Sequence, residues 1–272
     1  MKIINTKCPG CGALIKPNLG IGIVECEYCG SQVMFEDEEE TNGLIAGEIQ
    51  RKSDYDKERA KLPKAPLPKY TPWCDSGIRD HAMDWKDKPL EAAMREVTGI
   101  KKGDIMLSDV YKLTRLQLNE KGIERVDALN ELVNLQSLVL ESNSISSIAC
   151  LTNLKNLTFL NLYKNNVTDI SGIAYMPLLN DVRLDYNMVT DLTPLSELKY
   201  IERLYVYMNR VTDVTPLAKL ISLKDLRIDF NPIRDISALK DLKYLESLNI
   251  QQTDIEDLTP LLKLKYLKNL HK

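Results

Sequence analysis

Two pairs of thiols are the first residues in this 272-residue chain whose spacing could do chemistry: Cys8-Pro9-Gly10-Cys11-Gly12 and Cys26-Glu27-Tyr28-Cys29-Gly30. Each Cys-x-x-Cys-Gly run is a tight turn presenting two thiolates, and the following glycine lets the backbone curl around a metal. Fourteen residues separate the two knuckles, slightly fewer than is usual for four-cysteine zinc sites but of the same kind. Cys8, Cys11, Cys26 and Cys29 are therefore the expected ligands of one Zn2+. Four thiolates close the coordination shell and leave no position for water, so the expected role is structural, not catalytic. Rubredoxin-type iron uses similar knuckles, but its longer aromatic-rich inserts are missing here. A redox dithiol would need one pair, and there are two.

The elements that must hold these thiols are small. Ala13–Lys16 and Ile21–Val24 can form a hairpin around Pro17-Asn18-Leu19-Gly20. A unit of about 35 residues cannot build a sufficient core alone, so the metal supplies folding energy. The module resembles the zinc ribbons at the head of many bacterial and archaeal proteins. That resemblance implies several roles, since some ribbons bind nucleic acid while others bind protein or cap a domain. The charge here disfavours nucleic acid: Lys2, Lys7 and Lys16 face Glu25 and Glu27, and the acidic run Glu36–Glu40 follows at once. Phosphate binding wants clustered Lys and Arg. A nucleic-acid-associated regulator working through the ribbon stays as the alternative function.

Other candidate reactive groups are few. Two histidines, His81 and His271, neighbour no nucleophile motif, and a Cys74/His81 dyad is the one pairing to weigh. Gly20-Ile21-Gly22 lacks the third glycine of a dinucleotide loop. No convergent acid, base or nucleophile emerges, so the expectation is a non-enzymatic protein. With 44% apolar residues, 28% charged residues and a net charge of −3, nothing draws the whole chain to nucleic acid or anionic membrane. The Met1–Lys7 stretch lacks the apolar run of a secretory signal, and no segment approaches the roughly 18 apolar residues of a membrane span. A cytoplasmic location is expected.

The dominant signal is a repeat. From Leu113 onward the pattern L-x-x-L-x-L-x-x-N-x-I recurs every 22 residues, opening at Leu113, Leu135, Leu157, Leu179, Ile201, Leu223 and Leu245. The x-L-x-L-x part has period two, so it reads as a short strand with its leucines inward. One such strand and its return cannot bury their own apolar face, so neighbours must stack into a parallel sheet. The asparagine column Asn143, Asn165, Asn187, Asn209 and Asn231 can satisfy buried backbone groups at each turn. On the return side Asp169, Asp191, Asp213, Asp235 and Asp257 precede Ser or Thr and, in three repeats, Pro194, Pro216 and Pro260. This reads as capping of a short helical turn rather than as a calcium ladder.

These motifs resemble the bacterial leucine-rich-repeat proteins of the internalin-like, 22-residue class over roughly residues 73–270. The segment Asp87–Glu96, followed by Gly103-Asp104-Ile105, looks like the family's helical N-terminal cap. Its own residues agree: Asp87 and Pro89 start a helix, Leu90, Ala93, Met94 and Val97 share a face, and Gly99 ends it. The expected fold is an α/β leucine-rich-repeat solenoid, with a curved parallel sheet and short helical or 3-10 turns on the convex side, behind a zinc ribbon. The expected boundaries are 1–36 for the ribbon, 37–72 for a solvated charged and Pro-rich linker containing a short helix, 73–111 for the cap, and 112–272 for seven repeats plus a partial eighth. Leu267 and Leu270 begin that eighth repeat, which carries the expectation of weak self-association through this end.

The repeat register fixes the outward residues of the concave sheet. Aromatic and arginine side chains gather in its middle: Phe159, Tyr163, Arg183, Tyr186, Arg203, Tyr205, Tyr207, Arg227 and Phe230, with Met208 among them. That composition is the one enriched at protein-interface hot spots. Asp181, Asp185, Asp225 and Asp229 alternate with the arginines and are expected as outward charges that set specificity. The expected function is a scaffold that binds a protein or peptide on this face.

Overall fold

The structure, a computed structural model, describes residues 23–25, 32–34 and 38–272, with side chains from residue 47 onward. It divides into two units, Met1–Leu62 and Pro63–Lys272. The four cysteines of the knuckles lie outside the described residues, as does Ala13–Lys16.

In the first unit, β1 (Ile23–Glu25) pairs antiparallel with β2 (Gln32–Met34), Val24 facing Val33. Helix α1 runs from Glu38 to Arg59, much longer than the short helix expected in the linker. Its acidic first turn and its basic last turn, with Lys57 and Arg59, both suit the helix dipole.

The second unit opens with residues 63–72, which lie outside any helix or strand. This segment is not simply solvated. The Lys69 amide donates to Asn156 Oδ1 at 2.8 Å and its carbonyl accepts from Asn156 Nδ2 at 3.0 Å. Thr71 repeats the pairing with Asn134, at 2.8 and 3.0 Å. Two carboxamides 22 residues apart thus act as surrogate strand partners for the incoming chain. Helix α2 (Lys88–Thr98) follows, with Pro89 in its first turn and Gly99 in the left-handed conformation at its end. Leu90, Ala93 and Met94 are buried, but Val97 is exposed. Asp87 does more than cap α2. One oxygen accepts from Leu90 N at 2.7 Å, and the other accepts from Glu124 N and Arg125 N, both at 2.8 Å. It thereby pins the cap to the first repeat. A single turn, α3 (Leu107–Val110), leads into the array.

Eight parallel strands form one sheet in chain order, each paired with the residue 22 positions on. They are β3 (Arg115–Gln117), β4 (Ser137–Val139), β5 (Phe159–Asn161), β6 (Asp181–Arg183), β7 (Arg203–Tyr205), β8 (Asp225–Arg227), β9 (Ser247–Asn249) and β10 (Asn269–His271). Single 3-10 turns on the return side carry the chain back, as at Thr215–Lys219 and Ser237–Asp241. The inward columns, such as Leu138, Leu160, Val182, Leu204, Leu226 and Leu248, are completely buried. Each such side chain stabilises the stack by about 1.5–3 kcal/mol through burial.

The asparagine column works as its position requires. Asn209 Oδ1 accepts from Val189 N at 2.9 Å, and its Nδ2 donates to the carbonyls of Leu184, Val206 and Tyr207 at 2.9, 3.0 and 3.3 Å. Asn165, Asn187 and Asn231 repeat this set. On the return side each aspartate accepts from the amide two residues on, as in Asp213 to Thr215 at 2.7 Å. The Thr215 hydroxyl first, and then this amide, hold the Asp213 carboxyl below its ordinary range. The capping reading therefore holds, with Asp one residue ahead of the turn's own cap.

Candidate functional site

The concave face is built from three rows of strand side chains and a fourth row from the turn that follows. That fourth row, Glu120, Ser142, Lys164, Tyr186, Met208, Phe230 and Gln252, has φ between 51° and 56°. A left-handed non-glycine residue costs about 1 kcal/mol, and here it recurs at every repeat just before the asparagine column. The conformation turns Tyr186, Met208 and Phe230 outward, leaving them 37%, 44% and 45% exposed.

Across the middle strands these rows interlock. Tyr163, Tyr186, Tyr207 and Phe230 form a continuous edge-to-face ridge with centroid separations of 5.4, 4.8 and 5.8 Å. The hydroxyl of Tyr207 donates to that of Tyr186. Beside the ridge, the Arg183 guanidinium lies 5.3 Å from the Phe159 ring and 5.6 Å from Tyr205, and Arg227 lies 5.8 Å from Tyr205 and 4.8 Å from Tyr207. Arg203 Nε donates to Asp181 at 2.8 Å, and Arg183 reaches the same carboxylate at 3.3 Å. All nine residues expected from the register thus meet in one patch.

The aspartates behave differently from expectation. Asp181, Asp185 and Asp229 are buried, not outward. They form the floor, covered by the longer arginine and tyrosine side chains that project past them. Burial pushes the Asp185 carboxyl up to about 6, against a hydrogen bond at 3.1 Å from the Tyr207 amide that favours its charge. Burial also raises Asp229, despite Arg227 at 3.6 Å. The Tyr205 phenol, half-buried and donating to Asp225 at 2.6 Å, is pushed up to about 12 by loss of hydration and by that bond, and so is Tyr207, by loss of hydration and its bond to Tyr186. Both phenols stay neutral donors at any physiological pH. The outer surface of the patch is therefore made of guanidinium groups, phenol edges and one thioether, over a floor of shielded carboxylates. The sequence could not show that shielding, which depends on how far each side chain rises above the sheet.

The remaining candidates are accounted for locally. Nε2 of His81 pairs with Glu131 at 2.9 Å and Nδ1 lies 3.2 Å from the Arg79 carbonyl, so its ring is committed away from Cys74. Cys74 is exposed and Cys150 half-buried, its thiol raised by burial, and neither forms a disulfide. Among the described residues no group of three or more His, Cys, Asp or Glu side chains is placed to hold a metal ion. Among the described residues, too, no helix is long and apolar enough to cross a membrane.

No family model and no curated protein sequence matches the chain. Solved structures do. An internalin (inlF) of Listeria monocytogenes aligns over 68% of this chain at 27% identity, with a TM-score of 0.60. Internalin C2 of the same organism aligns over 68% of this chain and 92% of its own, at 29% identity and a TM-score of 0.54. A leucine-rich-repeat protein of Leptospira interrogans, 23% identical over 61% of this chain and 50% of its own, shares the fold with a TM-score of 0.51. The chain spans 62% of the length of the first of these. The array is therefore a leucine-rich-repeat solenoid that shares its fold with these structures.

Proposed function

We propose that the protein is a non-enzymatic scaffold that binds a protein or peptide across the middle of its concave sheet. The observation that carries this reading is the aromatic ridge from Tyr163 to Phe230. Exposed phenol edges and guanidinium groups are preorganised there by stacking, so little side-chain entropy is lost when a partner docks. Substituting alanine at Arg203, Tyr205 and Tyr207 together tests it. Affinity capture from the native cell should retain a partner on the intact chain and lose it on the variant, with circular dichroism showing the array intact. Equal capture would place the site elsewhere.

The N-terminal module is read as a structural zinc ribbon held by Cys8, Cys11, Cys26 and Cys29. Support comes from the knuckle spacing and from the pairing of β1 with β2, which bracket the second knuckle in the chain. The two unpaired thiols Cys74 and Cys150 suit a reducing, cytoplasmic setting.

A further inference from the structure

The aromatic ridge has a period of its own. It takes one ring from each repeat and alternates between two rows: Tyr163 and Tyr207 stand two residues past β5 and β7, Tyr186 and Phe230 three residues past β6 and β8. The rings therefore zigzag across the strands, at centroid separations of 5.4, 4.8 and 5.8 Å. An α-helix advances 5.4 Å per turn, and its apolar positions at i, i+3 (or i+4) and i+7 zigzag in the same way. Strands lie about 4.8 Å apart, so a helix laid across them drifts out of step by only about 2 Å over the four rings. An extended peptide places like-facing side chains roughly 6.6 Å apart and drifts by about one whole repeat.

The charges beside the ridge are sorted by height. Arg183, Arg203 and Arg227 are 40, 44 and 40% exposed, against 6% for Asp181 and 2% for Asp229. Over β6 to β8 the arginines and aspartates nearly balance in number, so reach decides what a partner can touch. Arg203 spends its Nε on Asp181, and among the described residues its two Nη groups have no hydrogen-bond partner. They form a pair of donors suited to a carboxylate. Asp225 is the half-exposed carboxylate of the patch. One of its oxygens holds the Tyr205 hydroxyl at 2.6 Å, Arg203 stands beside it in the strand register, and Arg227 lies two residues on. A cation approaching Asp225 thus meets two guanidinium groups, whereas a carboxylate approaching Arg203 meets donors that no described residue has taken.

We infer that the segment bound on the concave face is an amphipathic α-helix lying across strands β5 to β8, one turn per repeat. Its apolar stripe packs on Tyr163, Tyr186, Tyr207 and Phe230, and Asp or Glu residues along one flank of the stripe meet Arg203 and its neighbours. The rings already hold one another edge to face, so a helix docks there with little further loss of side-chain freedom. Met208, 44% exposed between Tyr186 and Phe230 in the fourth row, is unbranched and polarizable and adapts to the apolar side chain that falls beside it. This inference rests on the protein- or peptide-binding reading and gives that partner a secondary structure and a residue pattern.

Two display libraries selected on the full chain test it: linear random peptides of about 16 residues, enough for four helical turns, and a three-helix-bundle scaffold with one helix face randomised. The expected winners of both carry apolar residues at i, i+3 or i+4, and i+7, with Asp or Glu beside them. A synthetic peptide of the selected sequence should gain helical circular dichroism when the chain is added. Proline at its centre should weaken binding more than tenfold, and an i,i+4 side-chain staple should tighten it several-fold by lowering the ordering cost. Tyr186→Ser with Phe230→Ser should remove the apolar pattern, and Arg203→Gln the acidic preference. Should the double variant unfold, Phe230→Ser alone reads the same pattern. Winners spaced at i, i+2 and i+4, or binding that survives the central proline, overturn the helix. Basic residues at the flanking positions, or an acidic preference that Arg203→Gln leaves intact, overturn the charge assignment. In either case, loss of those winners on the alanine variant of Arg203, Tyr205 and Tyr207 leaves the peptide-binding reading standing. Enrichment of nothing from either library sinks both.

Discussion

Asp185 offers the sharpest physical test of the concave face. Its carboxyl is almost fully buried, and its native pKa is pushed up to about 6 from an ordinary 3.8. A difference of about 2.2 pH units corresponds to about 3 kcal/mol at 1.36 kcal/mol per unit. The sign follows from proton counting. Between pH 4 and 6 the native chain holds this proton and the unfolded chain has lost it, so stability falls as pH rises through that window. Below pH 4 both states are protonated and the penalty vanishes. Asp185→Asn removes the charge and keeps an oxygen to accept the Tyr207 amide. The variant should match the parent near pH 4 and exceed it by up to about 3 kcal/mol at pH 7.5. The return-side aspartates Asp169, Asp213 and Asp257 shift in the opposite direction and cancel in the difference between the two proteins, whereas Asp229, whose charge itself helps to raise Asp185, is relieved along with it and shares in the gain. Urea denaturation from pH 4 to 8 reads the effect. Because repeat arrays unfold in parts, exchange of the Leu184 and Val206 amides should be followed alongside. A difference independent of pH, or a variant less stable than the parent at pH 7.5, would refute the argument.

Three further outcomes are expected. Asn209→Ala strands one buried amide and its paired carbonyls, and should cost about 3–5 kcal/mol at roughly 1–3 kcal/mol per unpaired group. Hydrogen exchange at Val189 should accelerate first, and an unchanged rate would contradict the ladder. A Cβ at Gly172 would sit 2.0 Å from the Ile148 carbonyl oxygen. Gly172→Ala should therefore destabilise by about 1–3 kcal/mol or more, while Ala238→Gly in the same column should lose no more than about 1 kcal/mol. Thermal melts of the two variants separate the cases, and equal melts would rule out the close approach. Finally, elemental analysis should find one zinc per chain, lost on Cys8→Ser or Cys26→Ser while the array's melting is retained. Iron in place of zinc, or no metal in the parent, would remove the zinc reading.

The repeat was fully legible in the sequence because its signal is periodic. A leucine that must face inward every second residue, and an asparagine that must close every turn, leave marks at fixed intervals. The positions of all nine concave residues followed from that register, and so did the ends of α2 at Asp87 and Gly99. What tertiary structure alone decided was depth and long-range partnership. Asp181, Asp185 and Asp229 occupy outward positions and are nevertheless buried, because the guanidinium and phenol groups beside them are longer. Val97 lies on the apolar face of its helix, yet it is exposed where Leu90, Ala93 and Met94 are buried. Asn134 and Asn156 look like ordinary polar residues until the backbone of Lys69 and Thr71 is laid against them. A depression at β9 opens where the short Asn249 stands between Arg227 and His271 and the short Ser247 follows Asp225 in the neighbouring row. A 22-residue period fixes which way a side chain points, but its burial depends on the heights of neighbours one and two repeats away, which only the stacked array brings together.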